Sequence, residues 1–209
     1  MGTGIGGVVL LPQAAVVDNR VSLVAQGGFV QTQTCVYRDT VVDSVGGWVA
    51  IDDAIDGSGY VVAITPTSAN SRILVSAVAH VGGGDASDMR HWGLRLYRRV
   101  GAGGAWGAVA ASHNADVDSV GTGVFAAASW GQNQSSNYDT GIFNCAGRYV
   151  DTPADATSIH YYTLYWCSWL GRVENGRVRT LNRPNKVNKP YLAQAVSTLT
   201  ASEIYYAPT

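Results

Sequence analysis

Arg148-Tyr149-Val150-Asp151-Thr152-Pro153, then His160-Tyr161-Tyr162-Thr163-Leu164-Tyr165-Trp166-Cys167-Ser168-Trp169, then Val178-Arg179-Thr180-Leu181-Asn182-Arg183-Pro184: these three runs decide how the chain folds. The first two read as strands on either side of a proline turn. Tyr161, Tyr162, Tyr165, Trp166 and Trp169 give the second run the densest aromatic content in the sequence. Aromatic and β-branched side chains fit a pleated, half-buried surface rather than a helix. Between the second and third runs stands Glu174-Asn175-Gly176-Arg177, and Asn-Gly between extended runs predicts a hairpin.

Outward from this stretch the same signals recur. Residues 31–37 alternate as a strand, and 41–51 read as a hairpin or wide loop around Gly46-Gly47-Trp48. A strand over 60–64 ends at Thr65-Pro66-Thr67-Ser68, because proline fixes its own φ and lacks the N–H that a ladder needs. Residues 73–81 form a long β-branched run broken by Gly82-Gly83-Gly84, the pattern of a central strand. In 91–98, Trp92, Leu94 and Leu96 alternate with Arg95 and Tyr97, so one face is buried. Short strands and loops are expected over 105–138, strands over 142–150 and 197–204, and a helical turn over 193–196. Eight to ten short strands with frequent turn signals and no long helix make an all-β antiparallel sandwich.

The 209 residues suffice for one domain with a buried core. Residues 1–30 are poor in charge and read as an extended N-terminal arm; 31–209 form the body. Only 14% of residues are charged against 46% hydrophobic, which fits a surface packed against other subunits. A net charge of −1 argues against nucleic acid as a partner. No run of apolar residues is long enough to span a membrane as a helix, and Gly6 stands where a myristoylation signal wants Ser or Thr. Cys35, Cys145 and Cys167 are odd in number and lack metal spacing, so buried thiols are expected rather than a disulfide framework.

Several strings, taken in order, resemble small jelly-roll virion proteins of bacteriophages. They are Ile64-Thr65-Pro66-Thr67-Ser68-Ala69-Asn70-Ser71-Arg72-Ile73-Leu74, Leu96-Tyr97-Arg98, Tyr149-Val150-Asp151-Thr152-Pro153, His160-Tyr161-Tyr162-Thr163-Leu164, Leu181-Asn182-Arg183, and Ser197-Thr198-Leu199-Thr200-Ala201-Ser202-Glu203-Ile204. Together they cover about residues 60–204; Arg72 replaces the usual lysine, and residues 1–59 carry none of the strings. The resemblance implies a jelly-roll fold, a homotrimer, and a structural or adhesive role in head decoration or tail fibres.

No catalytic or cofactor signature competes with that reading. His80, His91, His113 and His160 lie apart, and Gly57-Ser58-Gly59 lacks the frame of a nucleophile elbow. Asp52-Asp53-Ala54-Ile55-Asp56-Gly57 has Ala54 and Ala63 where a calcium loop needs ligands. Asp85, Asp88 and His91 read as a solvated loop, and Gly2, Gly4 and Gly6 lack the flanking strand and helix of a dinucleotide site. The expectation is a protein that is not an enzyme and holds no cofactor or metal.

Two groups remain as partner-binding candidates. Arg172, Arg177, Arg179 and Arg183, with Lys186 and Lys189, form the basic run, its arginines suited to bidentate contacts with carboxylates on a neighbouring subunit or to a solvated edge that blocks aggregation. Trp106 and Trp130, with Trp48, lie in glycine-rich stretches, where they would stack on sugar rings or plug the ends of the sandwich and a trimer seam. With no heptads or fibrous repeats, the chain has no shaft. The expected role is therefore a capsid decoration (cement) protein on the virion surface, binding itself and the major capsid or other virion proteins. A tail-fibre-type module binding a host-surface glycan is the alternative; neither reading involves nucleic acid or a membrane.

Overall fold

Period-two alternation builds the body, and strand register shows how. The structure, a computed structural model, describes residues 28–43, 47–83, 91–109, 125–129, 142–153, 155–168, 179–183 and 194–204. Among them are β1 (Phe29–Tyr37), β2 (Val41–Asp43), β3 (Val49–Ala50), β4 (Val61–Ile64), β5 (Arg72–Gly83), β6 (His91–Val100), β7 (Gly107–Ala108), β8 (Ala126–Ser129), β9 (Ile142–Asp151), β10 (His160–Ser168), β11 (Arg179–Leu181) and β12 (Ser197–Ile204).

In the first sheet β5 is central. β9 runs along one edge of it, while β12 and β11 lie end to end along the other, flanked in turn by β1 and β2. In the second sheet β10 and β6 pair along their lengths. β3 and β4 share the far edge of β10; β7 and β8 share the far edge of β6. All these pairings are antiparallel. Taking β1 with β2, β3 with β4, β7 with β8, and β11 with β12 as composite strands leaves eight positions. Their order is first–eighth–third–sixth in one sheet and second–seventh–fourth–fifth in the other. That order is a jelly roll, and the twelve observed strands against eight to ten expected reflect only the interrupted rungs.

The core lies between the sheets. On β5, Ile73, Val75, Ala77, Ala79 and Val81 face inward, opposed by Leu94 and Leu96 of β6 and by Tyr162, Leu164 and Trp166 of β10. Each large side chain so buried contributes about 1.5–3 kcal/mol. Ala77 and Ala79 leave the middle of the layer thin, and Tyr60 occupies it: its hydroxyl lies 2.8 Å from the Thr198 carbonyl and 3.2 Å from that of Val78, tying the two sheets. Cys145 is a buried thiol in this interior, and burial pushes it up to about 12; Cys167 is buried as well, on the opposite face of β10.

Several expectations change. β10 and β11 do not pair; they belong to opposite sheets, and the expected Asn175-Gly176 hairpin turn lies outside the described residues. β2 and β3 likewise part into different sheets, so of the hairpin or wide loop expected over 41–51 the hairpin does not form. Residues 194–196 adopt no helical turn. β1 already begins at Phe29, inside the expected arm, and the rest of that arm, residues 1–27, lies outside the described residues.

Along the open edge of the sandwich Gly147 of β9 meets Phe125. A Cβ at Gly147 would stand 2.7 Å from the Phe125 ring and 2.8 Å from its carbonyl oxygen. Backbone cannot yield as a side-chain tip can, so Gly147→Ala is expected to destabilise by about 1–3 kcal/mol, read as a lower urea midpoint at unchanged m-value.

Candidate functional site

The basic run is not one surface. Arg179, on β11 between β5 and β2, is fully buried. Its guanidinium donates to Asp43 Oδ2 at 2.6 Å, to the Trp166 carbonyl at 3.0 Å and to the Gly47 carbonyl at 3.2 Å, and it lies 5.3 Å from the Trp166 ring centroid. Arg179 is therefore a core residue and not part of a rim that meets a partner. The physical reason is the place of β11: as an inner strand covered on both faces, it has no solvated side. Arg183 is partly exposed with a buried Nε, while Arg172, Arg177 and Trp130 lie outside the described residues.

Trp106 is described, and it belongs to a different grouping. Along β6, Arg95, Tyr97 and Arg99 alternate with the core residues and point away from them; Tyr161 and Tyr165 do the same on β10. Register sets Arg95 opposite Tyr165 and Arg99 opposite Tyr161. Tyr97 and Tyr165, diagonal neighbours, stack with centroids 3.7 Å apart and planes 16° from parallel. The Arg95 guanidinium lies 4.1 Å from the Trp48 ring centroid, and that of Arg99 5.9 Å from Trp106, both within cation–π range. The outer face of the second sheet is thus a ladder of aromatic rings and guanidiniums, all partly exposed. Its sequence signal is the alternation of Arg95-Leu96-Tyr97-Arg98-Arg99 facing Tyr161-Tyr162-Thr163-Leu164-Tyr165; only register turns two patterns into one surface.

The buried polar groups do other work. Glu203, fully buried, accepts from Ser71 Oγ at 2.5 Å, the Thr67 N–H at 2.6 Å, Thr67 Oγ at 2.7 Å and Gln31 Nε2 at 2.7 Å. Burial alone would push its carboxyl up, but the bonds from Ser71, Gln31 and Thr67 outweigh that and hold it below the ordinary glutamate value. Asp151 accepts from Arg98 at 2.6 Å and from the Tyr162 hydroxyl at 2.8 Å. Burial first, and the adjacent carboxylate second, push that phenol up.

Asn182 occupies the left-handed region at φ 61°, which asparagine tolerates. Its Nδ2 donates to the Tyr37 and Asp39 carbonyls at 2.9 and 3.0 Å, and its Oδ1 accepts from Ser197 Oγ at 2.6 Å. Asn182→Ala is expected to cost about 2–4 kcal/mol, because it strands the buried Ser197 hydroxyl and the buried Tyr37 carbonyl and leaves a Cβ residue in strained backbone. Chemical denaturation checks this; Asn182→Gly, which relieves only the strain, should recover no more than about 1 kcal/mol.

Little here is arranged for chemistry. His160 is buried, both ring nitrogens lack a hydrogen-bond partner among the described residues, and burial first and Arg98 second pull its pKa down. Among the described residues no hydroxyl or thiol nucleophile is paired with it. Asp52 accepts from the Tyr37 hydroxyl at 2.8 Å and Asp56 accepts from Ser58, so both carboxylates build turns. Among the described residues no three His, Cys, Asp or Glu side chains gather as metal ligands; Asp85, Asp88, the His91 side chain and His113 lie outside them.

No family model matches the sequence, and no curated protein does. Solved structures of infectious bursal disease virus are similar. That of the Gt strain is 11% identical over 93% of this chain and 44% of the viral chain, with a TM-score of 0.41. The Gx strain structure is 10% identical over 85% and 38%, at 0.36. The T=1 particle structure derived from the virus is 10% identical over 95% and 45%, at 0.37. This chain spans less than half the length of the viral chains it matches. The fold stands on the strand order and register given above.

Proposed function

We propose that the chain is a non-enzymatic bacteriophage virion protein, a capsid decoration (cement) protein that works as a homotrimer at the particle surface. The observation that carries this reading is how the polar side chains are used. Glu203, Asp151, Asn182 and Arg179 all hold loops and strands of a jelly roll in place. The outer face of the first sheet supports it as well. Thr32 and Thr34 bond across to Ser202 and Thr200 at 3.0 and 3.2 Å, next to exposed Val36 and Val150, so that face is uncharged over most of its width and suited to packing. Such a protein acts by burying area across capsomer junctions and so stabilising the assembled state by mass action.

The test is addition of purified protein to capsids stripped of it. Saturable binding that raises the temperature of capsid disruption supports the role, and absence of binding removes it. Deleting residues 2–28 asks whether an arm carries the attachment; unchanged binding would end that part. Light scattering after size exclusion should give three chains. The second reading, a tail-fibre-type receptor-binding module, is favoured by the aromatic and arginine face of the second sheet; saturable host-cell adsorption in place of capsid binding would select it.

A further inference from the structure

We infer that the outer face of the second sheet is a binding site for an acidic polysaccharide, with sugar rings stacked on its aromatics and a uronate-type carboxylate held by Arg99. The site is built by β6 and β10 and flanked by Trp48 and Trp106, and it stands whether the chain sits on a head or a tail.

Three features point to this ligand. The first is chemistry. The face offers aromatic rings to the C–H faces of sugars, and guanidiniums within cation–π distance of two of them, whose N–H groups match a carboxylate. Preorganisation matters here: Arg99 Nε donates to the Gly101 carbonyl at 3.2 Å, which fixes the fork, and its terminal nitrogens have no acceptor among the described residues. The second is scale. Arg95 and Arg99 are four residues apart on one strand, about 13 Å, and with two neighbouring strands each about 4.8 Å wide the inner patch covers roughly 125 Å². A stable protein interface needs about 800 Å² per partner. The patch is too small for that and matches two or three sugar rings, with Trp48 and Trp106 extending it at the ends. The third is charge. Arg95 already takes part in a further interaction, so the anion is taken at the Arg99 end. Two arginines interrupted by tyrosines are not the continuous basic track that a nucleic-acid backbone requires, and the net charge of −1 opposes one.

The experiment is calorimetric titration of the full chain with tetrameric oligosaccharides of galacturonate, alginate, hyaluronate and sialate. A neutral galactose tetramer, polyglutamate of matched charge and oligo-dT serve as comparisons. Saturable binding of at least one acidic sugar is expected, with the neutral tetramer, polyglutamate and oligo-dT at least about tenfold weaker. Arg99→Gln and Tyr165→Leu should each weaken that binding about tenfold or more, while Arg148→Gln, on the exposed outer face of the first sheet, leaves it unchanged. Near-native thermal midpoints confirm that both variants are folded, and Arg99→Gln, confined to the surface, keeps the test valid if Tyr165→Leu is not. No binding of any acidic sugar overturns the inference. So does binding that both variants retain, or polyglutamate or oligo-dT binding as tightly, which would make the face a general anion, protein or nucleic-acid surface.

Discussion

Glu203→Ala is expected to destabilise the protein by about 3–5 kcal/mol, the range for removing one partner from a buried, charge-assisted cluster. Four donors from three separate segments converge on this one carboxylate: Gln31 from β1, Thr67 and its N–H from the turn after β4, and Ser71 just before β5. Without it they are left dry, and the turn over 65–71 loses its attachment to β12. Glu203→Gln should do nearly as badly, since an amide presents two donors to a site that supplies only donors. Urea denaturation at neutral pH measures both.

The same cluster sets an acid limit. Glu203 has a lowered pKa in the folded chain and an ordinary one, about 4.5, when unfolded. Above 4.5 its contribution is fully present. As pH falls below that value the unfolded chain takes up the proton first, and the contribution is lost as pH passes through the lower folded value. Buried His160 and half-buried His80, also lowered, act earlier: the unfolded chain protonates them near 6.5, so stability begins to fall there. Stability against pH should therefore show two declines. Glu203→Gln should flatten the lower one and leave the upper one intact; an unchanged lower slope would remove Glu203 from this role.

The resemblance strings now have a physical meaning. The Thr65-Pro66-Thr67-Ser68 turn with Ser71, and the Glu203 that closes the sequence pattern, are two halves of one hydrogen-bonded cluster. Tyr149-Val150-Asp151 and Leu96-Tyr97-Arg98 meet in the Arg98–Asp151 ion pair at 2.6 Å, and Leu181-Asn182-Arg183 supplies the left-handed corner that binds β1 to β12. These were legible because each motif residue sits at the end of an alternating run. β5, β6, β9 and β12 were legible for the same reason, since alternation fixes which side chains enter a core.

The crossovers were not legible. A turn signal such as Asn175-Gly176 states that the chain reverses and does not state which sheet receives it. Nor was the outer ladder of the second sheet, because the stacking of Tyr97 on Tyr165 depends on a register between strands more than sixty residues apart.

Arg179 is the clearest case of a residue whose neighbours in sequence mislead, and replacing it should have the second large effect. In a run with Arg172, Arg177 and Arg183 it reads as surface charge; in space it lies in the interior, paired with an Asp43 that sits 136 positions earlier. Arg179→Ala is expected to destabilise by about 3–5 kcal/mol, because it leaves Asp43 nearly buried without its cation and opens a cavity beside Trp166. Arg179→Lys separates the two causes. Lysine keeps the charge, yet one ammonium on a flexible stem cannot reach Asp43, the Gly47 carbonyl and the Trp166 carbonyl as a planar fork does. It should recover less than half of the loss. If lysine restores full stability, charge alone matters at this position; if alanine is tolerated, β11 is not the inner strand that its register makes it. Because β11 bridges β5 and β2, the loss should also appear as faster hydrogen exchange at Val81 and Gly82, the β5 residues paired with it.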